Sequence, residues 1–244
     1  MKRFNKLDTP GGPIRGIALT REVSDSYNDC ALEFNERCPI DVELARCQHR
    51  AYVDALKGLG LDVMVLPAAN DFPDGCFVED TAVVLGDTAV ITWMGTDSRN
   101  GEQQQVAECL QRWVTLVHMR PPASLEGGDV LKVGRDIFVG RSRRTNAAGV
   151  SFLREVANSR GFRVFEVPVH HYLHLKTAIT CIRGKTFVTA NGVGRFIEGV
   201  LNDCAFVKLP EECAYAANVL SVGEKILIPD GYPKAAELIQ VRWI

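Results

Sequence analysis

Four stretches of the chain alternate between apolar and polar residues, and each is interrupted midway by a glycine. Alternation with a period of two is typical of β-strands, and glycine readily adopts the positive φ that a tight hairpin turn requires. The pattern therefore predicts four β-hairpins, within residues 81–92, 130–140, 177–190 and 219–229. Their turns fall at Gly86, Gly134, Gly184 and Gly223.

Apolar residues recur at helical spacing between the hairpins, and each such segment leads into one more short apolar run. Helices are predicted from Asp41 to about Gly58, after Ser98, from about Thr145 to Ser159, and from Tyr232. A shorter helical stretch, interrupted by glycines, is predicted after the third hairpin. Single strands are predicted at residues 13–20, 61–66, 114–119, 162–169 and 204–209. The unit of hairpin, helix and strand thus occurs four times, and the fourth copy stops inside or just after its helix.

The helical spacing also predicts which side chains face the core. In the first helix the inward stripe comprises Leu44, Cys47, Ala51 and Ala55. In the third helix it comprises Val150, Leu153 and Ala157. The segment before the first helix, residues 21–39, is predicted to be a loop long enough to fold over a site.

A repeat that is tens of residues long is typical of radial or stacked arrays. We expect the units to form a closed ring, because a linear array would leave two open strand edges. The sequence therefore predicts one α/β domain over residues 1–244, truncated at the C-terminal end before the strand that would close the ring. An unclosed ring is expected to dimerise or aggregate through its strand edges.

Polar residues stand at the entrance to every hairpin, and they differ from one copy to the next. A scaffold that is kept while the residues at one end vary suggests a shared central site. Most of these residues are carboxylates, which suit a delocalised cation such as a guanidinium because they can form paired hydrogen bonds with it. The entrance residues are Glu79, Asp80, Glu126, Asp129, His174, Lys176 and Asn218.

The carboxylate of Glu126 near His174 would favour the protonated form of the histidine. A proton donor to a leaving amine requires that form. Arg99 and Arg144 follow the first two hairpins, where they could clamp a substrate carboxylate. The structural alternative is that the carboxylates are turn caps or solvated groups and the arginines surface charges. Their recurrence at one position in successive repeats favours the functional interpretation.

Composition narrows the class of protein. The chain has 244 residues, 46% of them hydrophobic and 24% charged, as expected for a globular protein. A net charge of −2 gives no electrostatic reason to bind nucleic acid or an anionic membrane, and no apolar run approaches a membrane span. The eight cysteines form no CxxC pair, so we expect neither disulfides nor a zinc site but a reduced, cytoplasmic protein.

Six short motifs of mostly polar residues lie at and near the hairpin entrances: Phe72–Asp74, Phe77–Asp80, Leu125–Asp129, Arg144–Asn146, Leu173–Lys176 and Tyr215–Asn218. Taken in order and with their spacing, they resemble the dimethylarginine dimethylaminohydrolase family of the arginine deiminase (pentein) superfamily. The resemblance runs from about residue 13 to about residue 235. It implies a five-bladed α/β-propeller of pseudo-fivefold repeats, the last of them incomplete here.

The resemblance also implies a chemistry, in which a cysteine thiolate attacks the guanidinium carbon of a methylated arginine. An alkylamine leaves, and hydrolysis then yields citrulline. His174 matches the general acid and base, and Glu126 the carboxylate that orients it and holds a guanidinium nitrogen. Asp80 matches the second guanidinium-binding carboxylate. The other implied substrate-binding residues are Asp74, Phe77, Glu79, Arg99 and Arg144. The resemblance implies no metal and no organic cofactor.

The sequence departs from this pattern at the nucleophile. The family's cysteine stands near the C-terminus, whereas the last cysteine here is Cys213. Cys76 lies in the acidic loop and Cys181 follows His174, but an odd offset along one strand places residues 174 and 181 on opposite faces. We therefore expect the chain as given to be inactive or nearly so.

Two further functions remain open from the sequence. An arginine deiminase or amidinotransferase would keep the same carboxylates and His174 and differ around the leaving amine. A protein without a nucleophile could bind a guanidino ligand or a protein partner and perform no catalysis. The expected partner is a small guanidino molecule, and a homodimer is possible.

Overall fold

In a computed structural model of the chain, residues 16–190 and 192–240 are described. They form an α/β fold of two compact units, which divide between Gly127 and Gly128. The first residues of the strand predicted at 13–20, and the end of the chain where ring closure was predicted to fail, lie outside the described residues. Among the described residues, no helix is long and apolar enough to cross a bilayer.

The first unit contains two sheets and two α-helices. Its strands are β1 (Ile17–Arg21), β2 (Asp62–Leu66), β3 (Ala82–Leu85), β4 (Thr88–Ile91) and β5 (Thr115–His118). Its helices are α1 (Val42–Gly58) and α2 (Gln103–Leu110). Strands β1 and β2 pair in parallel, while β4 lies between antiparallel β3 and parallel β5. Asp41 begins α1 as predicted, since its side chain accepts a hydrogen bond from the Leu44 amide at 2.9 Å.

The second unit contains three sheets and four α-helices. Its strands are β6 (Val130–Val133), β7 (Asp136–Arg141), β8 (Arg163–Pro168), β9 (Ile179–Arg183), β10 (Thr186–Thr189), β11 (Ala205–Lys208), β12 (Leu220–Val222) and β13 (Lys225–Leu227). Its helices are α3 (Ala147–Asn158), α4 (Leu175–Ala178), α5 (Gly194–Glu198) and α6 (Pro233–Gln240). The sheet orders are β6-β7-β8, β9-β10-β11 and β12-β13.

Short 3₁₀-helices connect several of these elements. Two of them carry predicted substrate-binding residues: Val78–Thr81, directly before β3, and Asp97–Arg99, between β4 and α2. The others are Tyr27–Asp29, Gly127–Asp129 and Glu211–Ala217.

All four predicted hairpins are confirmed. The turn glycines at 86, 134, 184 and 223 have φ of 69°, 60°, 52° and 59°, the left-handed region that glycine enters without a Cβ clash. Three sheets share one order, an antiparallel hairpin whose second strand pairs in parallel with the strand after the next helix. The predicted unit of hairpin, helix and strand is therefore the unit of this fold.

The core predictions are confirmed in one helix and wrong in another. Val150, Leu153 and Ala157 of α3 are fully buried, as predicted. In α1 the buried residues are instead Val53 and Leu56. Leu44, Cys47 and Ala51, which were predicted to face inward, are exposed. Helix α1 packs on a two-stranded sheet, so only a narrow part of its C-terminal half is covered.

The helix predicted after Ser98 begins later than expected. Residues Asp97–Arg99 form a 3₁₀ turn, and α2 proper starts at Gln103. Gly101, between them, has a φ of 127°, which a continuous helix does not permit. The break leaves Arg99 outside the α-helix, where its side chain joins the cluster described next.

Candidate functional site

Four charged side chains of the first unit form a buried group, which we call the acidic cluster: Asp80, Arg99, Glu102 and Glu126. Their exposed fractions are 7%, 3%, 1% and 0%, respectively. Three carboxylates thus surround one guanidinium with almost no access to water. Charged side chains are rarely buried to this extent unless they are paired.

The 3₁₀-helix before β3 and the glycine after Glu126 position two of the carboxylates. Asp80 lies in that 3₁₀-helix, and its carbonyl accepts a hydrogen bond from the Thr92 hydroxyl at 2.8 Å. Glu126 Oε1 accepts a hydrogen bond from the Gly95 amide at 3.0 Å. A Cβ on Gly127 would lie 2.0 Å from the Glu79 carbonyl oxygen, so only glycine permits this approach.

Arg99 binds all three carboxylates of the cluster. Its Nη1 donates to Asp80 Oδ2 at 2.9 Å and to Glu126 Oε2 at 3.1 Å. Its Nε and Nη2 donate to Glu102, with Nε–Oε1 at 3.0 Å and Nη2–Oε2 at 2.9 Å. The pair with Glu102 is therefore bidentate, the geometry in which a guanidinium and a carboxylate match best.

Electrostatics within the cluster follow from burial and proximity. Burial opposes the charge on Arg99, but the carboxylates of Asp80, Glu102 and Glu126 outweigh it and raise the pKa of Arg99 above its usual value. Burial raises the pKa of Glu102, and the hydrogen bonds from Arg99 offset only part of that effect. Arg99 is therefore a permanent cation at any working pH.

The other predicted substrate-binding residues of the first unit lie at different depths. Asp74 is buried, and its Oδ2 accepts a hydrogen bond from the Ala31 amide, within the predicted 21–39 loop, at 2.9 Å. Phe77 is 44% exposed, and its ring centre lies 5.9 Å from the Arg99 guanidinium carbon. Glu79 is exposed. The structure thus brings Asp80, Arg99 and Glu126 together and leaves Glu79 at the surface.

In the second unit a buried carboxylate, Asp129, contacts the segment that carries His174. Asp129 Oδ2 accepts hydrogen bonds from the Ser142 hydroxyl at 2.6 Å and the Thr145 hydroxyl at 2.7 Å. Its Oδ1 accepts one from the Leu175 amide at 2.9 Å. The His174 Nδ1 lies 3.4 Å from Asp129 Oδ2. His174 is thereby placed at the start of α4, with 7% of its surface exposed.

Arg144, the second predicted clamp, lies in the same loop as two of the Asp129 partners. It is 2% exposed, and its backbone amide donates to the Ser142 hydroxyl at 3.0 Å. Gly140 leaves room for this arrangement, because a Cβ there would lie 2.6 Å from Asp129 Oδ1. The network therefore fixes the backbone on both sides of Arg144.

Sequence reasoning did not identify Glu102, Ser142 and Thr145 as parts of these clusters. Glu102 is three residues from Arg99, a spacing that is normally interpreted as an exposed helical ion pair. Its burial results from the break before α2, which the periodicity did not predict. Asp129 was identified as a hairpin-entrance residue. Its hydrogen bond from the Leu175 amide, next to His174, joins residues 46 positions apart, and no local pattern predicts it.

All eight cysteines lie within the described residues, and all are free thiols there. Cys76, in the acidic loop, is a protonated thiol: burial and then the Asp74 carboxylate raise its pKa to about 12. Burial likewise raises the pKa of Cys181 to about 11. A thiol attacks as its thiolate, so neither environment activates a nucleophile.

The α/β fold is that of a guanidine-modifying class of enzymes, and sequence comparison identifies the family. The family model described as N,N dimethylarginine dimethylhydrolase, eukaryotic, matches residues 18–193. The chain belongs to the dimethylarginine dimethylaminohydrolase family.

Two curated bacterial relatives are named N(G),N(G)-dimethylarginine dimethylaminohydrolase. The protein from Streptomyces coelicolor is 39% identical over 91% of this chain and 85% of its own length. The protein from Pseudomonas aeruginosa is 34% identical over 79% of this chain and 76% of its own length.

Solved structures agree with this assignment. A cysteine-to-serine variant of the Pseudomonas aeruginosa enzyme, complexed with citrulline, has a TM-score of 0.84 at 30% identity. The match covers 93% of this chain and 89% of that one. The N-terminal domain of the cyanobacterial arginine dihydrolase ArgZ has a TM-score of 0.80 at 20% identity, covering 94% of this chain and 88% of that one, which shows a shared fold.

Proposed function

We propose that the protein hydrolyses Nω-methylated arginine, or a close guanidino analogue, to citrulline and an alkylamine. The observation that carries this proposal is the acidic cluster, where Asp80 and Glu126 already bind a guanidinium, that of Arg99. Both carboxylates are buried and already hold one guanidinium, so a guanidinium is a cation that they can bind through charge-assisted hydrogen bonds.

The family supports the same substrate class. The Pseudomonas aeruginosa relative binds citrulline, the product expected from a methylated arginine. A histidine-to-glycine variant of a dimethylarginine dimethylaminohydrolase, 29% identical to this chain with a TM-score of 0.86, forms an adduct with S-methyl-L-thiocitrulline. That match covers 93% of this chain and 89% of that one. A small guanidino amino acid, and neither nucleic acid nor a membrane, is therefore the partner we propose.

Residue roles follow from the resemblance, and the contacts support those of Asp80 and Glu126 but not that of Arg99, whose three nitrogens donate to the acidic cluster. Asp80 and Glu126 hold the guanidino nitrogens, which keeps the guanidinium charged and fixes the position of the carbon that a thiolate attacks. His174 supplies the proton with which the alkylamine leaves and then removes one from the water that hydrolyses the thiouronium intermediate. Arg144 and Arg99 bind the substrate carboxylate, with Asp74, Phe77 and Glu79 beside the substrate.

We propose that the nucleophilic thiolate is not among the cysteines of residues 1–244. Cys76 lies in the acidic loop and Cys181 in the strand after His174, and burial raises the pKa of both. We therefore propose that residues 1–244 by themselves bind the guanidino ligand without turning it over. Binding without catalysis is the second candidate function, and it is favoured by this observation alone.

The architecture we propose is a five-bladed α/β-propeller formed as a single domain. Five sheets among the described residues support it, three of them with the same strand order. Sheet β1-β2 corresponds to the last two strands of that order and β12-β13 to the first two. We also propose a cytoplasmic location, supported by eight free cysteines, and a homodimer formed through open strand edges.

The test is a calorimetric titration of residues 1–244 with Nω,Nω-dimethyl-L-arginine, combined with an assay for citrulline. We expect saturable binding without citrulline. Asp80→Asn removes one charged partner of the guanidinium and should weaken binding by about tenfold or more. The matched control is Asp87→Asn, since Asp87 is exposed in the β3–β4 turn and should leave affinity unchanged.

Two results would contradict the proposal. If Asp80→Asn binds as tightly as the unmodified chain, the guanidinium pocket is assigned wrongly. If citrulline forms, one of the eight cysteines acts as the nucleophile and the binding-only candidate fails. Parallel titrations with arginine, and with arginine plus an amine acceptor, distinguish an arginine deiminase or amidinotransferase.

A further inference from the structure

Arg99 occupies the same carboxylates that the proposed function assigns to the ligand. We propose that Glu102 is a positioning residue that restrains this internal guanidinium. By holding two of its three nitrogens, Glu102 limits Arg99 to a single-nitrogen contact with Asp80 and Glu126. The inference rests on the proposed function, because it concerns how the pair accepts a guanidino ligand.

The division of hydrogen bonds within the cluster is the first argument. A guanidinium pairs best with a carboxylate through two parallel N–H donors. Arg99 uses Nε and Nη2 in this way on Glu102 and presents only Nη1 to Asp80 and Glu126. Without Glu102, the same arginine could turn its two-donor edge toward Asp80 or Glu126 and compete with a ligand.

Charge is the second argument. Glu102 adds a third carboxylate beside those of Asp80 and Glu126, whose negative charge Arg99 alone would neutralise in part. Because the charge of Glu102 offsets that of Arg99, the pair of Asp80 and Glu126 stays attractive to a further cation. Asp80, Glu102 and Glu126 together can balance both Arg99 and a ligand guanidinium.

The backbone around Glu102 is fixed, which is the third argument. The Glu102 carbonyl accepts a hydrogen bond from Arg21 Nη2 at 3.0 Å, and the Arg21 side chain is itself fully buried. A Cβ on Gly101 would lie 2.3 Å from the Phe72 ring, so only glycine allows the backbone to approach this ring so closely. A side chain held on a rigid backbone is suited to positioning another one.

The test uses two probes and a pair of variants. N-methylguanidinium chloride carries no carboxylate, so its affinity is independent of any contact between Arg99 and a substrate carboxylate. Glu102→Gln should weaken the binding of both N-methylguanidinium and Nω,Nω-dimethyl-L-arginine by about tenfold or more in an NMR titration. The control is Glu108→Gln, an exposed position on α2, which should leave both affinities unchanged.

Removal of Arg99 from the Glu102→Gln background distinguishes restraint from a general structural role. The double variant R99M/E102Q lacks the competing guanidinium, so its affinity for N-methylguanidinium should return to within about threefold of the unmodified chain or better. If Glu102 merely supports the fold, the double variant should bind N-methylguanidinium as weakly as Glu102→Gln does. If the polar glutamine prevents folding, R99M/E102M replaces the buried pair with apolar residues of similar volume.

The outcomes separate the two proposals. If neither probe binds the unmodified chain, or if Asp80→Asn binds both as tightly, the proposed function fails. If Asp80→Asn weakens binding but Glu102→Gln does not, or the double variant stays as weak as Glu102→Gln, the restraint role is overturned and the proposed function stands. Recovery in the double variant supports both.

Discussion

Cys76 lies between Asp74 and Phe77, in the loop that the sequence motifs assign to substrate binding. Its position makes it the obvious substitute for a nucleophile. Burial first, and then the negative charge of Asp74, raise the pKa of its thiol to about 12. Arg99 acts in the opposite direction but does not compensate. A site rich enough in carboxylates to bind a guanidinium thus suppresses a thiolate in the same loop.

Alkylation rates should show this suppression directly. An ordinary thiol with a pKa of about 8.5 is about one quarter thiolate at pH 8, whereas a thiol with a pKa of about 12 is about 10⁻⁴ thiolate. With iodoacetamide at pH 8, we expect Cys76 to react at least about tenfold more slowly than the exposed Cys38, followed by peptide mass spectrometry. The Cys76 rate should rise with each pH unit up to about 12. Equal rates for Cys76 and Cys38 at pH 8 would contradict the raised pKa.

Asp129 connects three elements of the second unit: the start of β6, the loop after β7 and the start of α4. Its carboxylate accepts hydrogen bonds from Ser142, Thr145 and the Leu175 amide, all within 2.9 Å. The sequence predicted each of the two strands from alternation and the Gly134 turn. It could not predict that one carboxylate joins them to α4, because the partners are far apart in the chain.

Removal of this carboxylate should destabilise the second unit. Asp129→Ala removes the acceptor of three hydrogen bonds, two of which are buried, and we expect this to lower the free energy of unfolding by about 3 kcal/mol. Urea denaturation followed by circular dichroism measures the change. Asp230→Ala, at an exposed turn, is the matched control and should change stability by less than about 0.5 kcal/mol. A similar small change for Asp129→Ala would show that the network contributes little.

Local features of the chain could be predicted from the sequence more fully than long-range ones. Period-two alternation and turn glycines predicted all four hairpins, because both signals act within a few residues. The inward face of α1 was predicted wrongly, since it depends on what lies against the helix. The meeting of Asp80, Arg99 and Glu126 was suggested only by the repeat and the family resemblance. Glu102 gave no local signal, because a buried ion pair and an exposed one have the same spacing.

Two sheets at opposite ends of the chain have fewer strands than the repeating unit. In the described residues β1 pairs only with β2, and β13 only with β12. Three sheets have an antiparallel hairpin plus a parallel strand, so β1-β2 lacks an antiparallel neighbour and β12-β13 a parallel one. Unpaired backbone N–H and C=O groups along such an edge are a template for a strand from another molecule.

We therefore expect residues 1–244 to self-associate with a dependence on protein concentration, measured by light scattering after size exclusion. A lysine on an open edge opposes pairing, because its charge would have to be buried between strands. Ile17→Lys at the start of β1 should raise the dissociation constant of self-association by about tenfold or more and so favour the monomer. Leu44→Lys adds the same charge at an exposed apolar position of α1, away from any strand, and should leave association unchanged. If both variants shift the equilibrium equally, net charge is the cause and the β1 edge is not the interface. If the unmodified chain is monomeric at all concentrations, its strand edges are protected in solution and the proposed homodimer is wrong.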